Sequence, residues 1–170
     1  SGVAQQVISR TINMFSFDVL NDPNVSWRML VWVKVFQVMS FWEWIYGVGW
    51  GYEFPAFMMG DRSYSLDGHV GIHNSIIFIF FHTGLLGVGM LFFLIYKVYS
   101  KAIRLLKTHK SSPLWALTLS LFSAHIGVFV FSLFNVVLEG PYMSIVFWVY
   151  LGLIANLTHL MERESILVNS

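Results

Sequence analysis

The stretch Ser75–Tyr96, SIIFIFFHTGLLGVGMLFFLIY, decides the fold. It carries no Asp, Glu, Lys or Arg and is long enough to cross the roughly 30 Å of bilayer hydrocarbon, which takes about 20 residues of helix. Two more runs reach that length, Pro113 to Leu138 and Pro141 to Leu160. The whole chain agrees: its 170 residues are 56% hydrophobic and 11% charged, with mean hydropathy +0.67, more apolar surface than a soluble domain of this size can bury. The fold class read here is an all-α membrane protein in which amphipathic extracytoplasmic helices precede three transmembrane helices.

Between the first two runs stand Lys97, Lys101, Arg104, Lys107 and Lys110 with no acid among them. The positive-inside rule places this 97–112 connection in the cytoplasm. Residues 75–170 then form a three-span bundle, and residues 1–74 an extracytoplasmic segment with a glycine-rich loop. A net charge of +1 lacks the basic stripe that phosphate-backbone binding requires, so nucleic acid is excluded as a partner. No cysteine is present, so disulfides and thiolate metal sites are excluded too. The opening Ser1-Gly2, with no initiator Met and no signal peptide behind it, reads as the start of a piece of a longer protein.

Upstream of the spans, Ile8, Ile12, Phe15 and Val19 have helical spacing and end at the turn Asn21-Asp22-Pro23-Asn24. Trp27 to Tyr46 is long enough to cross a membrane but holds Arg28, Lys34, Gln37, Ser40 and Glu43. A central lysine costs about 2.5–3.5 kcal/mol on insertion scales. On a helix these polar residues form a slowly winding stripe opposite Leu30, Trp32, Val35, Phe36, Met39 and Trp42, which favours a helix lying in the interface.

The polar residues near the outer ends of the spans are the candidates for chemistry. Gly47, Gly49 and Gly51 in Gly47-Val48-Gly49-Trp50-Gly51 permit positive φ and close approach of backbone to a ligand, and could offer N–H groups to an anion; a plain return turn is the alternative. His73 can donate, accept or titrate near neutral pH, while Asn74 either orients it or caps the helix beginning at Ser75. Arg28 has a fork suited to phosphate oxygens, or anchors at lipid headgroups. Asp67, His69 and His73 are a weaker constellation for a metal, since Gly68 and Gly71 work against the helix that His-x-x-x-His ligation needs. Within the spans, His82 and His125 suit hydrogen bonding between helices, and Gly84, Gly87 and Gly89 suit close packing.

Taken in order, Trp27-Arg28, Trp32, Gly47-Val48-Gly49-Trp50-Gly51, His73-Asn74 and Thr83-Gly84-Leu85-Leu86-Gly87 resemble the O-antigen ligase and polymerase superfamily of bacterial glycosyltransferases. The resemblance runs from about Trp27 to the end and is similar to the C-terminal part of such an enzyme, a partial GT-C-like fold. Where members often carry a proline before the glycine turn, this chain has Trp44-Ile45-Tyr46, and where they often carry an acid before Thr83-Gly84 it has His82.

The resemblance implies metal-independent, cofactor-free transfer of a glycan from undecaprenyl diphosphate to an acceptor glycan or lipid A core, in lipopolysaccharide or other surface-polysaccharide assembly. The active face would lie outside a bacterial inner membrane, among membrane lipids. Arg28 would hold the diphosphate, and His73 would activate the acceptor hydroxyl or hydrogen-bond the diphosphate. Asn74, Gly47, Gly49, Gly51 and Trp32 would line the substrate. The competing expectation is a transporter or channel with His82, His125 and the span glycines along its path; broken helices would favour it, and the three runs read as uninterrupted.

Overall fold

The computed structural model describes residues 22–54, 71–135, 137–138 and 140–168. The amphipathic segment around Ile8–Val19, and Asp67 with His69, lie outside the described residues. Five helices are described: α1 (Pro23–Val38), α2 (Phe41–Tyr46), α3 (Ser75–Thr108), α4 (Trp115–Ser132) and α5 (Pro141–Val168). No strand occurs among the described residues. Three helices, α3, α4 and α5, are long and apolar enough to cross a membrane.

The described residues fall into two units. The first holds α1, residues 53–54 and residues 71–72. Its helix starts at Pro23, whose missing N–H is no loss at a first helical position, and the Asp22 carboxylate accepts the Asn24 N–H at 2.7 Å. Val31 and Val35 are its buried residues, one turn apart, while Leu30 and Phe36 are exposed. Val35 belongs to the apolar stripe read from the sequence and Val31 does not, and the buried face of this helix follows the 31/35 spacing. The Trp32 indole N–H donates to the Ile72 carbonyl at 2.7 Å.

Residues 39–52 and 73 onward make the second unit. The expected single helix over Trp27 to Tyr46 is therefore two, interrupted at Met39-Ser40. The reason is local: Ser40 is extended, and its N–H donates to the Glu43 carboxylate at 2.7 Å, starting α2 afresh. These contacts hold the Glu43 carboxyl below the usual carboxylate range, the Ser40 backbone N–H first and its side chain second.

In the bundle, short connections make α3, α4 and α5 run alternately up and down. Leu91, Ile95, Phe147 and Leu151 pack α3 against α5, and Ala102, Leu106, Phe122 and Ile154 join all three helices. Outside this narrow core, Leu85, Met90, Phe93, Leu117, Ile126, Val130 and Ile145 are exposed, an apolar outer surface of the kind that membrane-crossing helices present to lipid. The connection expected at 97–112 is mostly helix, because α3 continues to Thr108. The second run is shorter than Pro113 to Leu138: α4 ends at Ser132, and a turn follows whose Leu133 and Asn135 carbonyls are taken by Asn74 and Ser75.

Candidate functional site

At the end of the bundle opposite the basic connection, the start of α3 meets the α4–α5 turn. Asn74 caps α3: its side-chain oxygen accepts from the Ile76 and Ile77 N–H groups at 3.0 Å each, and its amide donates to the Leu133 carbonyl at 2.7 Å. Ser75, fully buried, donates to the Asn135 carbonyl at 2.9 Å and accepts from Val137 and Leu138 at 3.0 Å each. Both ends of the Asn74 amide thus serve the fold, and the cap expected of it is present. Ser75 is the residue that sequence reasoning missed; its only signal is its place directly after the cap.

His73 stands just before this junction, half-buried. Its φ of 51° makes it the only non-glycine residue in the left-handed region among those described. Histidine is among the side chains that tolerate this region, and positions held there gather at functional sites.

The glycine turn lies against the side of α3. Gly47, Gly49 and Gly51 have φ of 77°, 91° and 95°, the positive values their residue type allows. Gly47 N–H donates to Glu43, Val48 N–H to the Phe81 carbonyl at 2.8 Å, and Gly49 N–H to the His82 carbonyl at 3.1 Å. These three donors are engaged within the chain, so the cradle of N–H groups expected of the turn is not formed by them.

What the turn contacts is a break in α3. Gly84 has φ 64° and ψ −166°, a conformation essentially restricted to glycine, so the Ser75–Tyr96 run is interrupted and the expectation of three unbroken runs is corrected. A side chain on Gly84 would overlap the Ile45 carbonyl, and one on Gly47 would overlap the His82 and Thr83 backbone. The two glycines let two backbones touch. Among the other span glycines, Gly87 leaves room for the Thr83 side chain, and nothing lies close to Gly89.

His82, buried at the break, does not bridge two spanning helices as expected. Its ring nitrogens face the Phe78 carbonyl at 2.9 Å and the Tyr52 carbonyl at 3.0 Å, and Trp50 stacks on it at 5.2 Å. A neutral ring donates to one carbonyl or the other according to tautomer. His125 does join two helices, its Nδ1 lying 2.6 Å from the Tyr99 hydroxyl, with Nε2 buried and unpartnered.

Beside the turn opens an apolar groove of about 590 Å³ between α3 and α5. Trp50, Thr83, Gly87, Met90, Leu94 and Trp148 line it. It follows α3 from Ile79, past the break at Gly84, to Leu94. Phe41, Trp42, Tyr46, Trp50 and Tyr52 are exposed on α2 and the turn, the kind of aromatic surface found at a membrane interface.

Arg28 and Trp32 belong to the first unit, on α1, both half-buried, with the Trp32 donor engaged by Ile72. Among the described residues no three potential ligands gather around a metal position. Comparison with protein-family models, with curated proteins and with solved structures finds no match to this chain.

Proposed function

We propose that this chain is part of a membrane glycosyltransferase that moves a glycan from undecaprenyl diphosphate to an acceptor hydroxyl in surface-polysaccharide assembly, as an O-antigen ligase or polymerase does. The observation that carries this reading is the apolar groove opening beside the glycine turn, with Trp50 on its rim. A lipid-linked sugar has an isoprenoid chain that needs apolar lining and a head that needs polar groups and flat aromatic faces at the membrane boundary. The groove supplies the first, and the exposed aromatics of α2 and the turn supply the flat faces.

In the proposed reaction the acceptor hydroxyl oxygen attacks the anomeric carbon of the donor sugar. The bond from that carbon to the diphosphate oxygen breaks, and the diphosphate leaves with the electron pair. His73 takes the hydroxyl proton, and Arg28 stabilises the charge that grows on the phosphate oxygens, as a fixed guanidinium can without a metal. The two residues stand in different units, and each role is tested by itself.

In the intact protein, His73→Ala and Arg28→Ala are each expected to abolish surface polysaccharide while leaving protein level unchanged. Normal glycan in either variant overturns that residue's role. A deletion strain separates the two activities, since loss of glycan from its acceptor marks a ligase and shortening to single repeats marks a polymerase.

The break at Gly84 favours a second reading, a transporter or channel, because discontinuous spans are where transporters hold solutes. Against it, the carbonyls of Phe81 and His82 at the break are taken by Val48 and Gly49. Solute flux through the purified intact protein without transferase activity would reverse the order.

A further inference from the structure

The other end of the bundle carries a groove of about 570 Å³ between α3 and α5, lined by Lys97, Ser100, Lys101, Arg104, Ala155 and Thr158. We infer that this groove is a binding site for the phosphodiester headgroup of an anionic phospholipid.

Depth is the first argument. α3 has 34 residues, broken once at Gly84, whereas about 20 residues cross the hydrocarbon. Counted from Ser75, that crossing ends near Ile95. Lys97, Lys101 and Arg104 follow over the next three turns, at the level of the headgroups. α5, counted from Pro141, reaches the same level near Glu162.

Charge is the second argument. Two of the groove's three cations share one carboxylate: Glu162 lies 2.7 Å from the Lys101 ammonium and 3.4 Å from the Arg104 guanidinium, so the three positive charges of the lining face one paired negative. Lys97 instead sits 5.8 Å over the Phe93 ring. Small side chains at Ser100, Ala155 and Thr158 leave the space beside these cations unfilled. The hydroxyls of Ser100 and Thr158 donate to the carbonyls of Lys97 and Ala155, so the cations are the groups left to meet an anion.

The third argument separates a lipid from a soluble phosphate. Directly below the groove, Met90, Phe93 and Leu94 are exposed on α3, a continuous apolar surface for acyl chains attached to the headgroup. Basic pockets between spanning helices at this level take anionic headgroups, each nearby Lys or Arg strengthening the attraction.

The test uses purified intact protein in phosphatidylcholine nanodiscs containing a minor fraction of spin-labelled phosphatidylglycerol, and reads the immobilised lipid. The wild type is expected to hold phosphatidylglycerol in preference to spin-labelled phosphatidylcholine, and the double variant Lys97→Gln, Arg104→Gln to lose roughly tenfold of that preference. Lys107→Gln with Lys110→Gln, which removes two charges from the same end but outside the groove, is expected to leave it within about twofold. Glu162→Gln removes the competing carboxylate and is expected to raise the preference, which tests the idea even if the double variant fails to fold. An equal loss in both double variants, no preference in the wild type, an unchanged or lowered preference in Glu162→Gln, or full displacement of the lipid by millimolar glycerol 3-phosphate would each overturn the proposal.

Discussion

The two ends of α3 are held by different forces. Its first three turns are fixed by buried, directional contacts: the Asn74 cap, the Ser75 hydroxyl with three backbone partners, and two glycines that bring the α2 turn against the helix backbone. Its last three turns carry charges paired across to α5, half-buried Lys101 and exposed Arg104 on Glu162. A backbone contact without room for one carbon has no alternative geometry. An exposed ion pair has many, and salt screens it. The contrast teaches that the start of α3 is shaped by sterics and hydrogen bonds, whereas its basic end is held by ion pairs that leave more than one arrangement open.

The largest expected effect that would break this contrast is at the helix interruption. Gly84→Ala must adopt a conformation reserved for glycine and overlap the Ile45 carbonyl, so it should cost about 3 kcal/mol or more. Thermal unfolding of the purified protein in detergent reads this, and a midpoint near wild type would show that the break is not needed. Next, Ser75→Ala leaves the Val137 and Leu138 N–H groups and the Asn135 carbonyl without their partner, an expected loss of about 2–3 kcal/mol in the same assay. Asn74→Ala, losing a cap and the tie to Leu133, should cost about 1–2 kcal/mol.

At the basic end, Lys101→Ala in detergent free of anionic lipid should leave the unfolding midpoint unchanged at physiological salt. A drop as large as that of Ser75→Ala would erase the distinction between the ends. The smallest effect concerns acid. The Glu43 carboxyl titrates below its unfolded value, so its contribution is present above the usual carboxylate range and fades as pH falls through the lowered folded value. Glu43→Gln should remove that acid-dependent component, seen as a flatter dependence of midpoint on pH below neutrality.

Length and apolarity made the three spans legible, because a membrane crossing needs only an uninterrupted supply of apolar residues. The cap at Asn74 was legible for a similar reason: its chemistry is local, a side chain answering N–H groups two and three residues on. Positive φ at Gly47, Gly49 and Gly51 follows from residue type in the same way. The contact between the turn and Gly84 was not legible. Thr83-Gly84-Leu85-Leu86-Gly87 reads as ordinary spanning helix, since glycine within an apolar run fits packing as well as a break.

The sequence by itself determined that three runs of this chain are apolar and long enough to cross a membrane, which end of the bundle is basic, and where the first run is capped, because each depends on composition or on neighbours a few residues apart. Only the tertiary structure decided that the glycine turn's N–H groups answer the carbonyls of Phe81 and His82, that His82 lies beneath Trp50, and that Lys97, Lys101 and Arg104 border a groove in which Lys101 and Arg104 share Glu162. Each of these joins residues about 30 or more positions apart, and which groups meet across such a distance is set by how the helices pack.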